Sequence, residues 1–164
     1  MKKKILTLAL TVALLITLTF SLTSCLGPQT FTVGEFSIDL NITYFDMTSI
    51  VPMEEDIDAT YAAYISIPDA MIVIPTKAPN PNNYSLMDYV DAYSDDMGGS
   101  ISKTEDGIYT ITYTETAEGV SFSIITYVYE VEDGFWAVAF MSLSGDISEK
   151  SELIEGYVDT IVIE

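Results

Sequence analysis

The sequence predicts an α+β fold, an antiparallel β-sheet with helices packed on both of its faces. Three observations predict it. Several segments alternate apolar and polar residues with a period of two, as half-buried strands do. Two later segments are apolar on both faces, so each face of the sheet needs a covering layer. Two other segments repeat apolar residues at helical spacing and would supply those layers.

Strand character extends over most of the chain after its first thirty residues. We assign strands to residues 36–40, 61–67, 71–74, 108–114, 120–131 and 135–143. Pro68-Asp69 lies between the second and the third of these segments and forms a turn or bend. Glu132-Asp133-Gly134 joins the last two, and an Asp-Gly pair between β-rich segments is a strong hairpin signal. The last three segments should therefore form a meander.

Two helices are predicted. Ser85-Leu86-Met87-Asp88 has the form of a capping box, and Gly98-Gly99 supplies a stop at the other end. A second helix begins near Asp146 or Ser148, although Gly156 inside it costs about 1 kcal/mol relative to alanine. Residues 161–163 either end this helix or form a short closing strand.

The N-terminal segment has the features of an export signal. Residues 2–4 are lysines, and residues 5–22 carry no charge, which is also just long enough for a membrane-spanning anchor. The segment ends in Leu22-Thr23-Ser24-Cys25, which resembles the lipobox of bacterial lipoproteins. That resemblance implies a diacylglycerol thioether on Cys25, with or without a further N-acyl chain, and cleavage before it. The alternative is a cysteine that follows an ordinary signal peptide.

These features divide the chain into a signal peptide (1–24), a lipidated tether (25–30) and one domain (31–164). The five residues after Cys25 reach at most about 17 Å, so the domain should lie close to the bilayer. We therefore expect a lipid-anchored protein of the bacterial cell membrane, with its domain on the extracytoplasmic side.

Composition excludes several kinds of chemistry. The 164 residues include 25 acids and 6 lysines or arginines, and the net charge is −19. The absence of histidine excludes a Ser/His/Asp group and imidazole metal ligands. One cysteine allows neither an intramolecular disulfide nor a thiolate zinc site. So acidic a chain is not expected to bind nucleic acid, and we predict no cofactor.

Carboxylate clusters offer two candidate activities. Glu54, Glu55, Asp56 and Asp58 form the best local candidate for a Ca²⁺ site, although no segment has the EF-hand spacing. A solvated acidic surface is the expected interpretation, and no metal site is assigned. Paired carboxylates could also hydrolyse a glycosidic bond, but nothing in the sequence marks one pair as buried.

Aromatic residues on the predicted strands offer a third candidate, a stacking platform for a sugar or a peptide. The residues concerned are Tyr109, Tyr113, Tyr127, Tyr129 and Trp136. Their positions assign most of them to faces beneath covering layers, so we expect them to pack in the core.

The order of elements resembles a known group of domains. A strand at 35–40, a helix beginning in Tyr84-Ser85-Leu86-Met87-Asp88, a meander that ends in residues 132–138, and a last helix into Tyr157-Val158 follow one another. This series is similar to the PsbP-like α/β/α sandwich domains, which include DcrB-like bacterial lipoproteins. The resemblance implies a three-layer fold and a binding or assembly role, with no catalytic residue set to transfer.

The sequence thus predicts a membrane-anchored lipoprotein whose non-catalytic domain binds or scaffolds a partner. Its acidic field favours a cationic protein or peptide. A Ca²⁺-dependent surface binder and, less favoured, a carboxylate-based cell-wall hydrolase are the alternatives.

Overall fold

The computed structural model describes residues 27–50, 60–117 and 119–164, which are mainly antiparallel β-sheet. Its strands are β1 (Gln29–Val33), β2 (Phe36–Leu40), β3 (Tyr44–Asp46), β4 (Thr60–Tyr61), β5 (Tyr64–Ser66), β6 (Met71–Pro79), β7 (Ser100–Lys103), β8 (Tyr109–Ala117), β9 (Val120–Val131), β10 (Gly134–Ser142) and β11 (Val162–Ile163). Its helices are α1 (Leu86–Met97), α2 (Ser151–Val158) and a 3₁₀ helix (Ile147–Lys150).

Most of the strands form one large sheet. Its order is β3-β5-β6-β10-β9-β8-β7, and β4 pairs with β6 beside β5. The predicted hairpin between β9 and β10 is confirmed, because Val131 pairs with Gly134 and leaves Glu132 and Asp133 as the two loop residues. The meander of β8, β9 and β10 is confirmed as well. The centre of the sheet therefore follows from the sequence pattern.

A second sheet has three strands in the order β1-β2-β11. Of the two alternatives for residues 161–163, the short closing strand is the one that forms. It is β11, which pairs with β2 through Val162 and Ser37. Gln29 and Thr30, assigned to the tether from the sequence, belong to β1. The folded domain thus begins very close to Cys25.

Helix α1 forms where the sequence predicts it. The Ser85 side chain accepts a hydrogen bond from the Asp88 backbone N–H, and the Asp88 carboxylate accepts one from the Ser85 N–H. Gly98 ends the helix with φ of 64°, a left-handed conformation that glycine adopts without strain. On its buried side, Val90 packs against Ile111 and Phe135 of the large sheet.

The prediction of helices on both faces, and with it the three-layer α/β/α sandwich, is wrong. Helix α1 lies on one face, but the opposite face is covered mainly by the three-stranded sheet. One cluster joins the two sheets and includes Phe36, Ile38, Leu40, Trp136, Val138 and Phe140. Helix α2, with eight residues, adds Ile154 and Tyr157 to that cluster.

The reason for this difference lies in lengths and patterns. A helix of eight residues is about 12 Å long, which is too short to cover a sheet of this width. The hairpin of β1 and β2 already presents an alternating apolar face, with Phe36, Ile38 and Leu40 buried and the residues between them partly exposed. Strand β10 is apolar on both of its faces, which correctly predicts a covering layer on each face. That pattern does not determine whether the layer is a helix or a sheet.

Candidate binding surface

A charged cluster joins the two sheets at one end of the molecule. Lys77 Nζ in β6 lies 2.7 Å from Glu35 Oε1 in the β1–β2 turn and 2.7 Å from Asp133 Oδ1 in the β9–β10 loop. Trp136 Nε1, from a fully buried ring, donates to Glu35 Oε1 at 3.0 Å. This lysine, whose side chain is 17% exposed, thereby holds together three segments that are distant in sequence: the β1–β2 turn, strand β6 and the β9–β10 loop.

The cluster shifts the pKa values of its members in the directions that ion pairs produce. Hydrogen bonds from Lys77 and then from Trp136 lower the pKa of Glu35, and the hydrogen bond from Lys77 lowers that of Asp133. Hydrogen bonds to Asp133 and Glu35 raise the pKa of Lys77. All three groups therefore remain charged over a wider pH range than in an unfolded chain.

Replacing Lys77 with methionine should change how stability depends on pH. The stabilisation from Glu35 and Asp133, whose pKa values are lowered, is lost as pH falls through their folded-state values. The stabilisation from Lys77, whose pKa is raised, is lost only as pH rises through its folded-state value. The stability lost on substitution should therefore be greatest between the ordinary pKa values of 4.5 for glutamate and 10.5 for lysine.

Urea unfolding of the wild type and Lys77→Met across this pH range measures the difference directly. Acidification also relieves the self-repulsion of a very acidic chain, but that effect is nearly common to both proteins and cancels in the comparison. Lys103→Met provides a control with the same change in charge. A Lys77→Met deficit that stays constant from acid to alkaline pH would show that the cluster contributes no ion pairing.

The three lysines of the described residues all contact groups within the domain. Lys77 is held by two carboxylates, and Lys150 Nζ donates to the backbone oxygen of Asp69 at 2.6 Å. Lys103 Nζ lies 4.4 Å from the centroid of the Tyr109 ring. Because each of these lysines contacts a group of its own domain, their positive charges neutralise little of the acidic surface elsewhere.

Helix α1 presents an acidic surface. Asp88, Asp91, Asp95 and Asp96 are all exposed, and the helix contains no basic residue. Asp88 has a structural role, because hydrogen bonds from Ser85 lower its pKa and complete the helix cap. Asp95 and Asp96 lie near the C-terminal end, where the helix dipole disfavours negative charge. Helix stability therefore does not account for them.

The loop before α1 is fixed by its own hydrogen bonds. Asn80 Oδ1 accepts from the Tyr84 N–H at 2.8 Å, and Asn80 Nδ2 donates to the Tyr84 backbone oxygen at 2.8 Å. The Asn80 N–H donates in turn to the backbone oxygen of Asp133. Asn83 adopts φ of 51°, a conformation that asparagine tolerates better than most residues. This loop is thus attached to the β9–β10 hairpin.

The candidate residues of the sequence analysis have different outcomes. Cys25 and the four acids Glu54, Glu55, Asp56 and Asp58 lie outside the described residues. Within the described ranges, no three acidic or cysteine side chains form a group that could hold a metal ion. The predicted core packing of Tyr127 and Trp136 is confirmed, since both are buried.

Four carboxylates of the described residues have pKa values that the structure shifts, all in the same direction. Among the described residues, those with a resolved pKa shift are Glu35, Asp88, Asp133 and Asp146, and each of these pKa values is lowered. A general acid needs the opposite, a pKa raised by burial or by a neighbouring carboxylate. These four carboxylates are therefore poorly suited to donating a proton near neutral pH.

Sequence reasoning missed the Lys77 cluster and the fixed loop. Lys77 lies within β6, beyond the strand that the sequence pattern assigns to residues 71–74. Its partners Glu35 and Asp133 are 42 and 56 residues away, and no local pattern brings them together. A lone lysine among many acids was the available signal, but it did not specify the partners.

In the described part of the chain, no helix is both long enough and apolar enough to cross a bilayer.

Comparison with known proteins identifies the fold. The structure is similar to the solution structure of cyanobacterial PsbP (CyanoP) from Synechocystis sp. PCC 6803, with a TM-score of 0.60 and 6% sequence identity. The match covers 91% of this chain and 99% of the cyanobacterial one. The domain therefore has a PsbP-like fold. No protein family profile and no curated sequence matches the chain.

Proposed function

We propose that this protein is a bacterial cell-envelope lipoprotein of the DcrB-like kind, whose non-catalytic domain binds or scaffolds a cationic protein or peptide. The observation that carries the proposal is the distribution of charge. Beyond residue 25 the chain has three lysines against 25 acids, and each of those lysines contacts a group of its own domain. A surface of one sign attracts partners of the opposite sign and raises their association rate.

Lipidation at Cys25 supports an extracytoplasmic location. The leader before it is basic and then apolar, and Cys25 has no second cysteine with which to pair. Two acyl chains give stable membrane attachment, whereas one chain alone binds only marginally. The fold begins at Gln29, so the domain follows the acylated residue almost at once.

Substitution of Cys25 by serine tests the anchor. We expect the mature wild-type protein to begin at Cys25, to carry the mass of the acyl chains and to partition into detergent. The Cys25→Ser protein should lack that mass, whether or not its leader is removed. Intact-mass spectrometry after detergent phase separation measures both properties.

The control for this experiment is Ser24→Ala, which keeps a small residue before Cys25 and should be acylated like the wild type. An intact leader or a bare thiol at Cys25 in wild-type material would contradict the lipoprotein proposal. Millimolar Ca²⁺ that raised the melting temperature well beyond NaCl of equal ionic strength would favour a Ca²⁺-dependent binder over a cationic protein partner.

A further inference from the structure

The sheet topology gives the molecule two distinct ends. Gln29 pairs with Leu40 at one end of the β1–β2 hairpin, and Glu35 lies in the turn at its other end, about 14 Å away along the strands. We call these the anchor end, which receives the chain from Cys25, and the distal end. The contacts of Glu35 with Lys77 and of Lys77 with Asp133 place the β9–β10 loop at the distal end as well.

Two large apolar side chains are exposed where the chain leaves the distal end and enters α1. Tyr84 is 55% exposed and Met87 is 41% exposed, although α1 buries its other face in the domain. Tyrosine and methionine are enriched in the cores of protein interfaces. The Asn80 hydrogen bonds hold the Tyr84 backbone in place, so little conformational entropy remains to be lost there on binding.

Charges beside these side chains indicate what kind of partner they fit. Met87, Asp91 and Asp95 follow one another at intervals of four, so they share one face of α1. Asp133 accepts a hydrogen bond from the Asn80 N–H of the Tyr84 loop and also forms an ion pair with Lys77. Lys77, the nearby cation of the distal end, is therefore already paired. A partner segment that covers Tyr84 and Met87 and continues along this face of α1 meets Asp91 and then Asp95, and positive charge is their complement.

We propose that Tyr84 and Met87, with Asp91 and Asp95, form a docking surface at the distal end of the domain for a basic protein segment with apolar side chains. This rests on the proposed function and specifies its site. Tyr84 and Met87 supply the buried centre of the interface, and the aspartates pair with lysine or arginine at its rim. The anchor end faces the membrane, so this surface is presented away from it.

A defined peptide tests the surface. The probe is a fluorescein-labelled peptide of alternating lysine and leucine, with a glutamate-leucine peptide as its charge-reversed counterpart. Fluorescence anisotropy with the wild-type protein should show binding of the basic peptide alone. Tyr84→Ala with Met87→Ala should weaken it by about tenfold or more, as expected for residues at an interface centre. Phe45→Ala, in edge strand β3, removes a side chain that is 47% exposed and should leave binding unchanged.

A second pair of variants tests the charges. Asp91→Asn with Asp95→Asn changes the net charge by the same amount as Glu149→Gln with Glu152→Gln, whose side chains are exposed around α2. The first pair should weaken binding several-fold more than the second, and the difference should narrow as salt is added. Circular dichroism melting of each variant confirms that the fold is retained.

The outcomes separate the two proposals. Wild-type protein that does not bind the basic peptide would overturn the cationic-partner function. Binding that Tyr84→Ala with Met87→Ala weakens no more than Phe45→Ala would overturn this docking surface and leave the function standing. Size-exclusion chromatography that showed a dimer lost on Tyr84→Ala with Met87→Ala would assign the surface to a second copy of the chain instead.

Discussion

Replacing Trp136 with alanine is expected to lower the free energy of unfolding by about 4 kcal/mol, the usual cost of removing a large buried aromatic side chain. Trp136 is fully buried between the two sheets, and its ring stacks on Phe36 with centroids 5.1 Å apart. It is also the residue through which the core contacts Glu35. A cavity at this position would separate the layers that the fold depends on.

Trp136→Phe is the matched control, because it keeps an aromatic ring in the core and removes the hydrogen bond to Glu35. We expect it to cost about 1–3 kcal/mol, with part of the loss arising from the hydrogen bond to a charged acceptor. Urea unfolding measured by far-ultraviolet circular dichroism gives both values, since Trp136 is the sole tryptophan and fluorescence would be lost. If Trp136→Ala lowered the free energy of unfolding by less than Trp136→Phe does, the three-stranded sheet would contribute little to stability.

The sequence predicts best what is local. The capping box of Ser85 and Asp88 involves residues three apart, and the structure forms it with both hydrogen bonds. The β9–β10 hairpin depends on a two-residue loop and on strands that are adjacent in the chain. In each case the residues that make the contact also make the pattern, so the pattern is sufficient to find them.

What the sequence did not predict depends on contacts between distant segments. The apolar faces of Trp136 and Phe140 required a cover, and either a helix or a hairpin would bury them equally well. The hairpin of β1 and β2 supplies that cover, and the pairing of Ser37 with Val162 adds a third strand from the other end of the domain. Likewise, the docking surface depends on the exposure of Tyr84, which its apolar character alone would have assigned to the core.

The hairpin at Asp133-Gly134 is predicted correctly, but the reason for the glycine is only partly the one that the sequence suggests. The Asp-Gly pair predicted a hairpin because glycine adopts positive φ in tight turns. In the structure Gly134 is the first residue of β10, pairs with Pro79 and does not have positive φ. A Cβ there would overlap the carbonyl oxygen of Ala78 and lie 3.2 Å from Pro79 Cα. Glycine is required at this position because β6 approaches so closely.

Gly134→Ala should therefore destabilise the protein by about 3 kcal/mol, the upper part of the range for overpacking, because the overlap is with backbone that cannot rotate away. Gly156→Ala makes the same chemical change in α2, where a Cβ meets no atom within 4 Å, and should stabilise by about 0.5–1 kcal/mol. Urea unfolding of the two variants should thus give shifts of opposite sign. If Gly134→Ala were as stable as the wild type, β6 and β10 would have to separate at Pro79 without cost. The support that the β9–β10 loop gives to Asn80 and the Tyr84 loop would then be too weak to preorganise the distal surface.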